Sequence, residues 1–138
     1  MHEKRIEIRW RDLDAYGHVY HAVYLSYLEE ARDDWLRRVL ALGDGTIWDY
    51  VVARVAIDFR GELRGDAGEA TAQCRADRIG RSSLTTRERV LAPDGRLAAE
   101  AEVVVVARDP ATGESRPLTE HERAALEREL TRSEATAT

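Results

Sequence analysis

The sequence predicts an α+β domain, with a five-stranded antiparallel sheet wrapped around one long helix and a short C-terminal helix after it. Three observations carry this prediction: an alternating stretch near the N-terminus, one long stretch of helical periodicity, and four further alternating stretches. An apolar sheet face and an apolar helix stripe in one small chain are expected to bury each other. The 138 residues suffice for one domain. We expect it over residues 1–130, with residues 131–138 as a frayed, disordered tail.

The first elements follow from a change of period. Residues 3–12 predict a half-buried strand, because Ile6, Ile8 and Trp10 alternate with charged residues. Residues 12–21 break that period and predict a loop. A helix is then predicted from residue 22 to about 42, ending at Gly43. Its apolar stripe recurs at spacings of three and four residues, at Tyr24, Leu28, Ala31, Trp35, Val39 and Leu42, and is widened by Leu25, Leu36 and Leu40.

Four alternating stretches predict the remaining strands, over residues 51–60, 68–79, 82–92 and 96–108. Because strands joined by short turns pair antiparallel, we expect the consecutive strands to be neighbours. In the first of them the alternation places five apolar residues on one side, namely Val51, Ala53, Val55, Ile57 and Phe59.

A capping-box pair, Thr119 and Glu122, predicts a short charged helix over residues 120–130. One helix covers only part of a five-stranded sheet. We therefore expect a sheet edge or face to be used for dimerisation.

Composition narrows the classes of function. Apolar residues make up 43% of the chain and charged residues 34%, which is typical of a soluble globular protein. A net charge of −5 argues against a nucleic acid or an anionic membrane as the partner, because phosphate contacts need concentrated positive charge. The N-terminus has no apolar signal core, so we expect a cytoplasmic location. Cys74 is the single cysteine, so neither an internal disulfide nor a cysteine-based zinc cluster can form.

Residues 12–21 hold the densest cluster of functional groups, with two carboxylates, two imidazoles and two phenols. The cluster directly precedes the long helix, whose first amides lack intrahelical partners and can stabilise a developing oxyanion. Gly17 allows a ligand to approach the backbone closely. A carboxylate opposite such donors can act as a base toward water or attack a carbonyl. The alternative is that Asp and Gly are ordinary loop and cap residues here.

The pattern Asp14-x-x-Gly17-His18-Val19-Tyr20-His21-x-x-Tyr24 resembles the signature of the hotdog-fold acyl-CoA thioesterases. It is most similar to the 4-hydroxybenzoyl-CoA thioesterase-like group, including the Tol-Pal-associated acyl-CoA thioesterases. The order of elements over about residues 3–108 is also that of the hotdog fold. The resemblance implies a homodimer or homotetramer with sites between protomers. It also implies that an acyl-CoA, or an acyl-carrier-protein thioester, is hydrolysed without a metal or redox cofactor.

The same resemblance implies roles for single residues. Asp14 matches the catalytic carboxylate, as nucleophile or general base, and Asp12 is the second candidate. The backbone N–H near His21 matches the group that polarises the thioester carbonyl, and Tyr24 matches the aromatic residue that packs beneath the site. His18 would orient Asp14 or a water, and His21 would shape the acyl or thiol path, unless both are only hydrogen-bonded loop residues. A metal site made of these groups is disfavoured, because no further ligand has zinc-like spacing.

A second candidate site is the turn Gly80-Arg81-Ser82-Ser83 between two predicted strands. In hotdog thioesterases a basic, hydroxyl-bearing turn at this place commonly meets the CoA phosphates, and guanidinium and hydroxyl groups are suitable donors. The alternative is a plain hairpin turn. Trp48, Tyr50 and Val52 are candidates for the acyl pocket or for the core.

Two other functions stay open at this stage. A hotdog hydratase or dehydratase would act on the same thioesters, but it uses a histidine and an acid in a different spacing, and the hydratase signature with Asn-Pro is missing. A non-catalytic acyl-binding module would use the loop of residues 12–21 only as structure.

Overall fold

The computed structural model describes residues 1–43 and 48–137, with side chains through residue 132. Its five strands and two helices, in chain order, are β1 (His2–Glu7), α1 (Val23–Val39), β2 (Tyr50–Phe59), β3 (Glu69–Ile79), β4 (Ser83–Leu91), β5 (Leu97–Ala107) and α2 (Glu120–Ala137). The α+β prediction is confirmed. The sequence also predicts a turn at residues 43–45, after the long helix, and residues 44 and 45 lie outside the described residues.

All five strands form one antiparallel sheet with the order β1-β3-β4-β5-β2. The expectation that consecutive strands pair is right for β3, β4 and β5 and wrong for β2. Residues 60–68 do not close a tight hairpin but contain a short 3₁₀ turn at Gly65–Ala67, and β2 lies at the far edge beside β5. As a result, each edge of the sheet is a strand from the first half of the chain.

Helix α1 packs against β1, β3 and β4 and buries most of its predicted stripe. Leu25 departs from the prediction, since it is 40% exposed. The helix also ends earlier than predicted. Ala41 adopts a left-handed φ of 54°, and the amides of Ala41 and Leu42 return to the carbonyls of Arg38 and Arg37. This is a Schellman-type ending, so the chain has already left the helix before Gly43.

A buried polar cluster joins α1 to the centre of the sheet. Arg32 donates two hydrogen bonds to Glu88, from Nε to Oε2 at 2.9 Å and from Nη2 to Oε1 at 3.1 Å. The hydroxyl of Thr86 also donates to Oε2 of Glu88 at 2.6 Å, and the thiol of Cys74 lies 3.7 Å from the same oxygen. Burial lowers the pKa of Arg32, but the hydrogen bonds to Glu88 outweigh it, so that the pKa is raised.

The predicted first strand is shorter than expected. β1 ends at Glu7, and Trp10 lies in a 3₁₀ turn, Trp10–Asp12, where its side chain is 89% exposed. The reason is local: the backbone amide of Arg9 donates to the carboxylate of Asp12 at 2.9 Å, which folds the chain back at this point.

The side assignment predicted for β2 is partly wrong, because the strand contains a bulge between Val52 and Arg54. Before the bulge, Val51 pairs with Val106, whose side chain lies on the outer face of the sheet. Residues that pair with buried members of β5 face the helix instead, and these are Tyr50, Val52, Val55, Ile57 and Phe59. An inserted residue shifts the alternation by one, which a strict period of two does not anticipate.

The capping box at the start of α2 is confirmed. The amide of Glu122 donates to Thr119 Oγ1 at 3.1 Å, and the amide of Thr119 donates to Glu122 Oε1 at 2.8 Å. The backbone is helical through Ala137, beyond the predicted end at residue 130, where a frayed tail was expected. Residues 131–137 contain neither Gly nor Pro, so nothing in that stretch stops the helix. Neither helix is long and apolar enough to span a bilayer within the described ranges.

Candidate active site

A cavity of about 370 Å³ lies where the loop of residues 12–21 meets the segment that follows β2. Four of the predicted site residues line it together: Asp14, His18, His21 and Tyr24. The other lining residues are Val19, Phe59, Arg60, Gly61, Glu62 and Leu63. The loop therefore supplies one wall of the cavity, and the end of β2 with residues 60–63 supplies the other.

Backbone hydrogen bonds hold the two walls together. The amide of Val19 donates to the carbonyl of Leu63 at 2.7 Å, and the amide of Gly65 donates to the carbonyl of Gly17 at 2.9 Å. Gly17 has a φ of 79°, which favours glycine, and an added Cβ would meet open space. Its requirement is thus conformational: the turn it makes returns the chain toward the second wall.

The Asp14 carboxylate is half-buried and partly anchored. Its Oδ1 accepts hydrogen bonds from the amides of Tyr16 at 2.9 Å and His18 at 3.2 Å. Within residues 1–43 and 48–137, Oδ2 makes no hydrogen bond. One oxygen is therefore fixed by the loop, while the other is available to a ligand or water in the cavity.

Asp12, the second candidate for the catalytic acid, has a different environment. It is 7% exposed, does not line the cavity, and accepts a hydrogen bond from the Tyr27 hydroxyl at 2.7 Å. Its carbonyl also accepts the amide of Tyr20 at 2.8 Å. Burial, together with the bond to Asp12, raises the pKa of Tyr27. Asp12 thus anchors the loop to α1 and leaves the cavity to Asp14.

The N-terminus of α1 meets the loop, where the amide of Val23 donates to the carbonyl of Tyr20 at 2.9 Å. Its N-cap residue, Ala22, has no capping side chain, and the first turn holds no acidic residue. The dipoles of the first amides are therefore not neutralised by the helix's own side chains. His21 and Tyr24, on either side of this end, both line the cavity.

Aromatic rings form the apolar part of the cavity. Phe59 packs edge-on against Tyr24, with ring centroids 5.3 Å apart, and against His21 at 6.2 Å. Phe59 remains 48% exposed, whereas Tyr24 is only 3% exposed, and burial raises the pKa of the Tyr24 phenol. Phe59 is therefore the ring that an apolar ligand in the cavity can contact.

Phe59 and Glu62 complete the cavity, although the sequence pattern predicted neither as a site residue. Glu62 Oε2 lies 3.2 Å from His18 Nε2, across the two walls. The sequence gives no signal for them, because they lie at and just after the end of a strand that pairs at the far edge of the sheet. Gly61, two residues after the strand, is a weak local sign of a close approach.

The predicted phosphate-binding turn lies elsewhere. Gly80 and Ser83 close the β3–β4 hairpin through an amide-to-carbonyl bond of 2.8 Å, and Arg81 is exposed while Ser82 and Ser83 are half-buried. Ser83 pairs with Val106, which pairs with Val51 at the start of β2. The cavity lies at the other end of β2, about 25 Å away at a rise of about 3.3 Å per residue. A single chain therefore does not bring this turn to Asp14.

Two further predictions concern sulfur and metal. Cys74 is fully buried on the helix-facing side of β3, and burial beside Glu88 raises the pKa of its thiol. No group of three His, Cys, Asp or Glu side chains placed to hold a metal occurs within the described ranges. The expectation that the protein needs no metal stays a prediction.

Comparisons with known proteins agree with this architecture. A family model described as the thioesterase-like superfamily matches residues 8–126. The long-chain acyl-CoA thioesterase FadM of Escherichia coli K12 is 31% identical over 114 residues, which cover 78% of this chain and 83% of FadM. The acyl-CoA thioester hydrolase YbgC of Escherichia coli O157:H7 is 29% identical over 108 residues, covering 76% and 80%.

Solved structures extend the similarity to the fold. A thioesterase of Thermus thermophilus, crystallised with coenzyme A and Zn, superposes with a TM-score of 0.81 at 32% identity and covers 94% of this chain and 93% of its own. A putative thioesterase of Pseudomonas aeruginosa, PA2801, gives a TM-score of 0.77 at 28% identity, with 91% and 97% covered. On the family match and the shared architecture, the chain belongs to the thioesterase-like superfamily, as a thioester hydrolase with the hotdog fold.

Proposed function

We propose that the protein hydrolyses acyl-CoA thioesters and that the Asp14 carboxylate drives the reaction. One observation carries the proposal: Asp14 lies in a cavity with one oxygen anchored by loop amides and the other free, beside the uncapped N-terminus of α1. The names of FadM and YbgC, and the coenzyme A in the Thermus structure, support this class of substrate.

The proposed chemistry needs only groups of this site and water. The thioester carbonyl oxygen is placed toward the first amides of α1, which stabilise the negative charge that develops on it. Asp14 either attacks the carbonyl carbon or removes a proton from an attacking water. If Asp14 attacks, the C–S bond breaks to leave a mixed anhydride on Asp14, which water then hydrolyses. If Asp14 acts as a base, water adds directly to the carbonyl carbon and the C–S bond breaks in the same way. On both routes the CoA thiolate leaves and takes up a proton that comes from the water, so that water and R–CO–S–CoA become a carboxylic acid and free CoA. The proposal includes no metal or redox cofactor and places the reaction in the cytoplasm.

A homodimer formed through β2 is part of the proposal. The exposed edge of β1 carries charged residues such as Lys4 and Arg5, which protect a sheet edge against pairing. The exposed edge strand β2 instead presents Val51 and Val52 at its start, 43% and 45% exposed, and Phe59 at its end, 48% exposed. Its two charged residues, Arg54 and Asp58, are paired within the same chain. A mostly apolar edge of this kind is suited to pairing with a second copy of itself.

Antiparallel pairing of two β2 strands about a two-fold axis would also complete the site. It places the start of β2 in one protomer beside the end of β2 in its partner. The Arg81 turn would then approach the partner's cavity, where Arg81, Ser82 and Ser83 can bind the CoA phosphates. A second cavity of about 230 Å³, lined by Glu29, Asp33, Trp48, Tyr50 and Val52, lies at the same end and would extend the partner's site toward the acyl group.

The test is CoA release from a panel of short, long and aromatic acyl-CoAs. Replacing Asp14 with Asn should keep the fold and lower kcat/KM by at least about 10²-fold, the loss typical of a positioned acid or base. Asp66→Asn, at an exposed carboxylate in the 3₁₀ turn after β2, is the control and should change little. Unchanged turnover in Asp14→Asn would contradict the proposal, and so would hydration of an enoyl-CoA without release of CoA.

A further inference from the structure

The side chains of His18 and Glu62 meet at the mouth of the cavity. His18 Nε2 lies 3.2 Å from Glu62 Oε2, with the His18 side chain 27% exposed and that of Glu62 64% exposed. Both residues line the cavity together with Asp14. They belong to different walls: His18 lies in the loop before α1, and Glu62 follows β2.

The backbone at Glu62 is fixed from the opposite side. Arg96, in the β4–β5 hairpin, donates from Nη2 to the carbonyl of Glu62 at 2.5 Å, and its own amide donates to Asp94 Oδ1 at 3.0 Å. A Cβ added at Gly61 would meet the end of the Arg96 side chain, so the guanidinium would have to shift to admit it. Glu62 therefore faces His18 from a braced segment and not from a free loop.

The contact favours one orientation of the His18 ring. The distance of 3.2 Å between His18 Nε2 and Glu62 Oε2 is that of an ion pair. A ring turned away from Glu62 would give up this attraction, so the carboxylate favours the orientation in which Nε2 faces it.

The backbone of His18 is in turn coupled to Asp14. The amide of His18 donates to Asp14 Oδ1 at 3.2 Å, and the amide of Asp14 donates to the carbonyl of His18 at 2.8 Å. These bonds hold the backbone of His18 beside the carboxylate that the proposed function uses, so the place of the ring in the cavity depends on its rotamer.

We propose that Glu62 is a positioning residue, which holds the His18 ring with Nε2 facing the Glu62 carboxylate and thereby keeps the imidazole in the cavity beside Asp14. The catalytic part of this inference rests on the proposed function. The structural part, that Glu62 fixes the His18 ring, stands on the contacts alone.

The kinetic test compares Glu62→Ala with Asp66→Ala, a matched control at an exposed carboxylate paired with Arg64. We expect Glu62→Ala to lower kcat about 10-fold with little change in KM, less than the loss of a group that itself transfers the proton. Asp66→Ala should leave both constants near wild type. In a His18→Ala background, Glu62→Ala should have no further effect. Equal losses in the two backgrounds, or no loss in either, would overturn the proposal.

Crystal structures of the full chain separate this inference from the proposed function. The wild type should show the His18 ring facing Glu62, and Glu62→Ala should show it in another rotamer or in several. A ring that keeps its place in Glu62→Ala refutes the inference even if the enzyme cleaves acyl-CoA. A wild type that cleaves no thioester refutes the proposed function, and the two structures still decide whether Glu62 holds the ring.

Discussion

Asp12 and Asp14 illustrate how environment separates two identical side chains. Asp12 is buried against the Tyr27 hydroxyl and is used up in anchoring the loop, whereas Asp14 keeps one carboxylate oxygen free in a cavity. The sequence ranked them in this order only by the resemblance, through the spacing of Asp14 to Gly17. The physical reason for the ranking, a tyrosine on the next helix, is visible only in three dimensions.

The local part of the site could be predicted because it is contiguous. Asp14, His18, His21 and Tyr24 lie within one loop and the first turn of a helix, so their proximity follows from chain connectivity. Glu62 joins them through the crossing of β2 to the far edge of the sheet. No pattern within a single element encodes that contact.

A pH dependence of stability is expected from Glu122. Bidentate hydrogen bonds from Arg116, at 2.8 Å each, lower the pKa of Glu122 to about 2 against the opposing effect of burial. Its usual value is 4.5, so its contribution to stability is fully present above about pH 4.5 and is lost as the pH falls toward 2. At pH 7, thermal unfolding should give wild type a free energy of unfolding on the order of 1–2 kcal/mol higher than that of Glu122→Gln. This difference is smaller than the pKa shift alone implies, because Glu122 is partly solvated.

The same comparison at low pH supplies the check. The difference between wild type and Glu122→Gln should shrink steadily between pH 4.5 and 2. A difference that stays constant over this range would show that the pairing with Arg116 does not govern the titration.

At the scale of elements, the placement of α1 depends on polar as well as apolar contacts. The helix buries an apolar stripe that the periodicity predicts, but Arg32, which lies beside that stripe, is also buried and reaches Glu88 in β4. Charged residues on a predicted helix are ordinarily assigned to solvent. Arg32 is buried because it pairs with Glu88. The sequence pattern does not predict that a glutamate in this strand is buried, so it predicts neither member of the pair.

Removing the charge of Glu88 should destabilise the fold. In Glu88→Gln the buried guanidinium of Arg32 loses its compensating charge, and we expect a loss of about 3 kcal/mol in the free energy of unfolding, measured with urea. The control is Glu102→Gln on the outer face, where Glu102 meets Arg54 at 3.0 Å and Arg87 at 2.9 Å. Such partly solvated pairs contribute about 0–1 kcal/mol. Equal losses in the two variants would contradict a special role for the buried pair.

The predicted boundaries of elements are wrong where local backbone geometry sets them. The bulge near Val52 and the 3₁₀ turn at Trp10–Asp12 each interrupt a strand at a point where the apolar residues of the sequence still alternate. The left-handed residue Ala41 ends α1 before the glycine that the sequence offered. In each case a few backbone hydrogen bonds outweigh a local preference.

At the scale of the whole molecule, the two candidate sites lie far apart within one protomer. Asp14 and the Arg81 turn lie at opposite ends of β2, although the proposed chemistry needs both at one thioester. The proposed dimer paired through β2 would bring them together, whereas the sequence supports only the general expectation that an edge or a face of the sheet is used. Whether dimers pair further into tetramers stays a prediction.

Mixing two impaired variants tests whether residues of two protomers form one site. Asp14→Asn and Arg81→Ala homodimers should each be impaired, the second mainly through a raised KM. After exchange of subunits, the mixed dimer regains one site with both wild-type residues, so we expect activity to rise at substrate concentrations below KM. Placing Val52→Glu in both chains should prevent the rise by weakening the β2 edge contact. No gain in activity after verified exchange would show that the residues do not act across protomers.

The sealed position of Cys74 has a chemical consequence for an enzyme that releases CoA. Disulfide exchange requires an accessible thiolate, and this sulfur lies beneath α1 with its pKa raised by burial. The disulfide that released CoA forms when it is oxidised therefore has no accessible thiolate to exchange with at the protein's single cysteine. The folded catalyst should remain unmodified in the oxidised, product-rich mixtures in which a more exposed sulfhydryl would be capped.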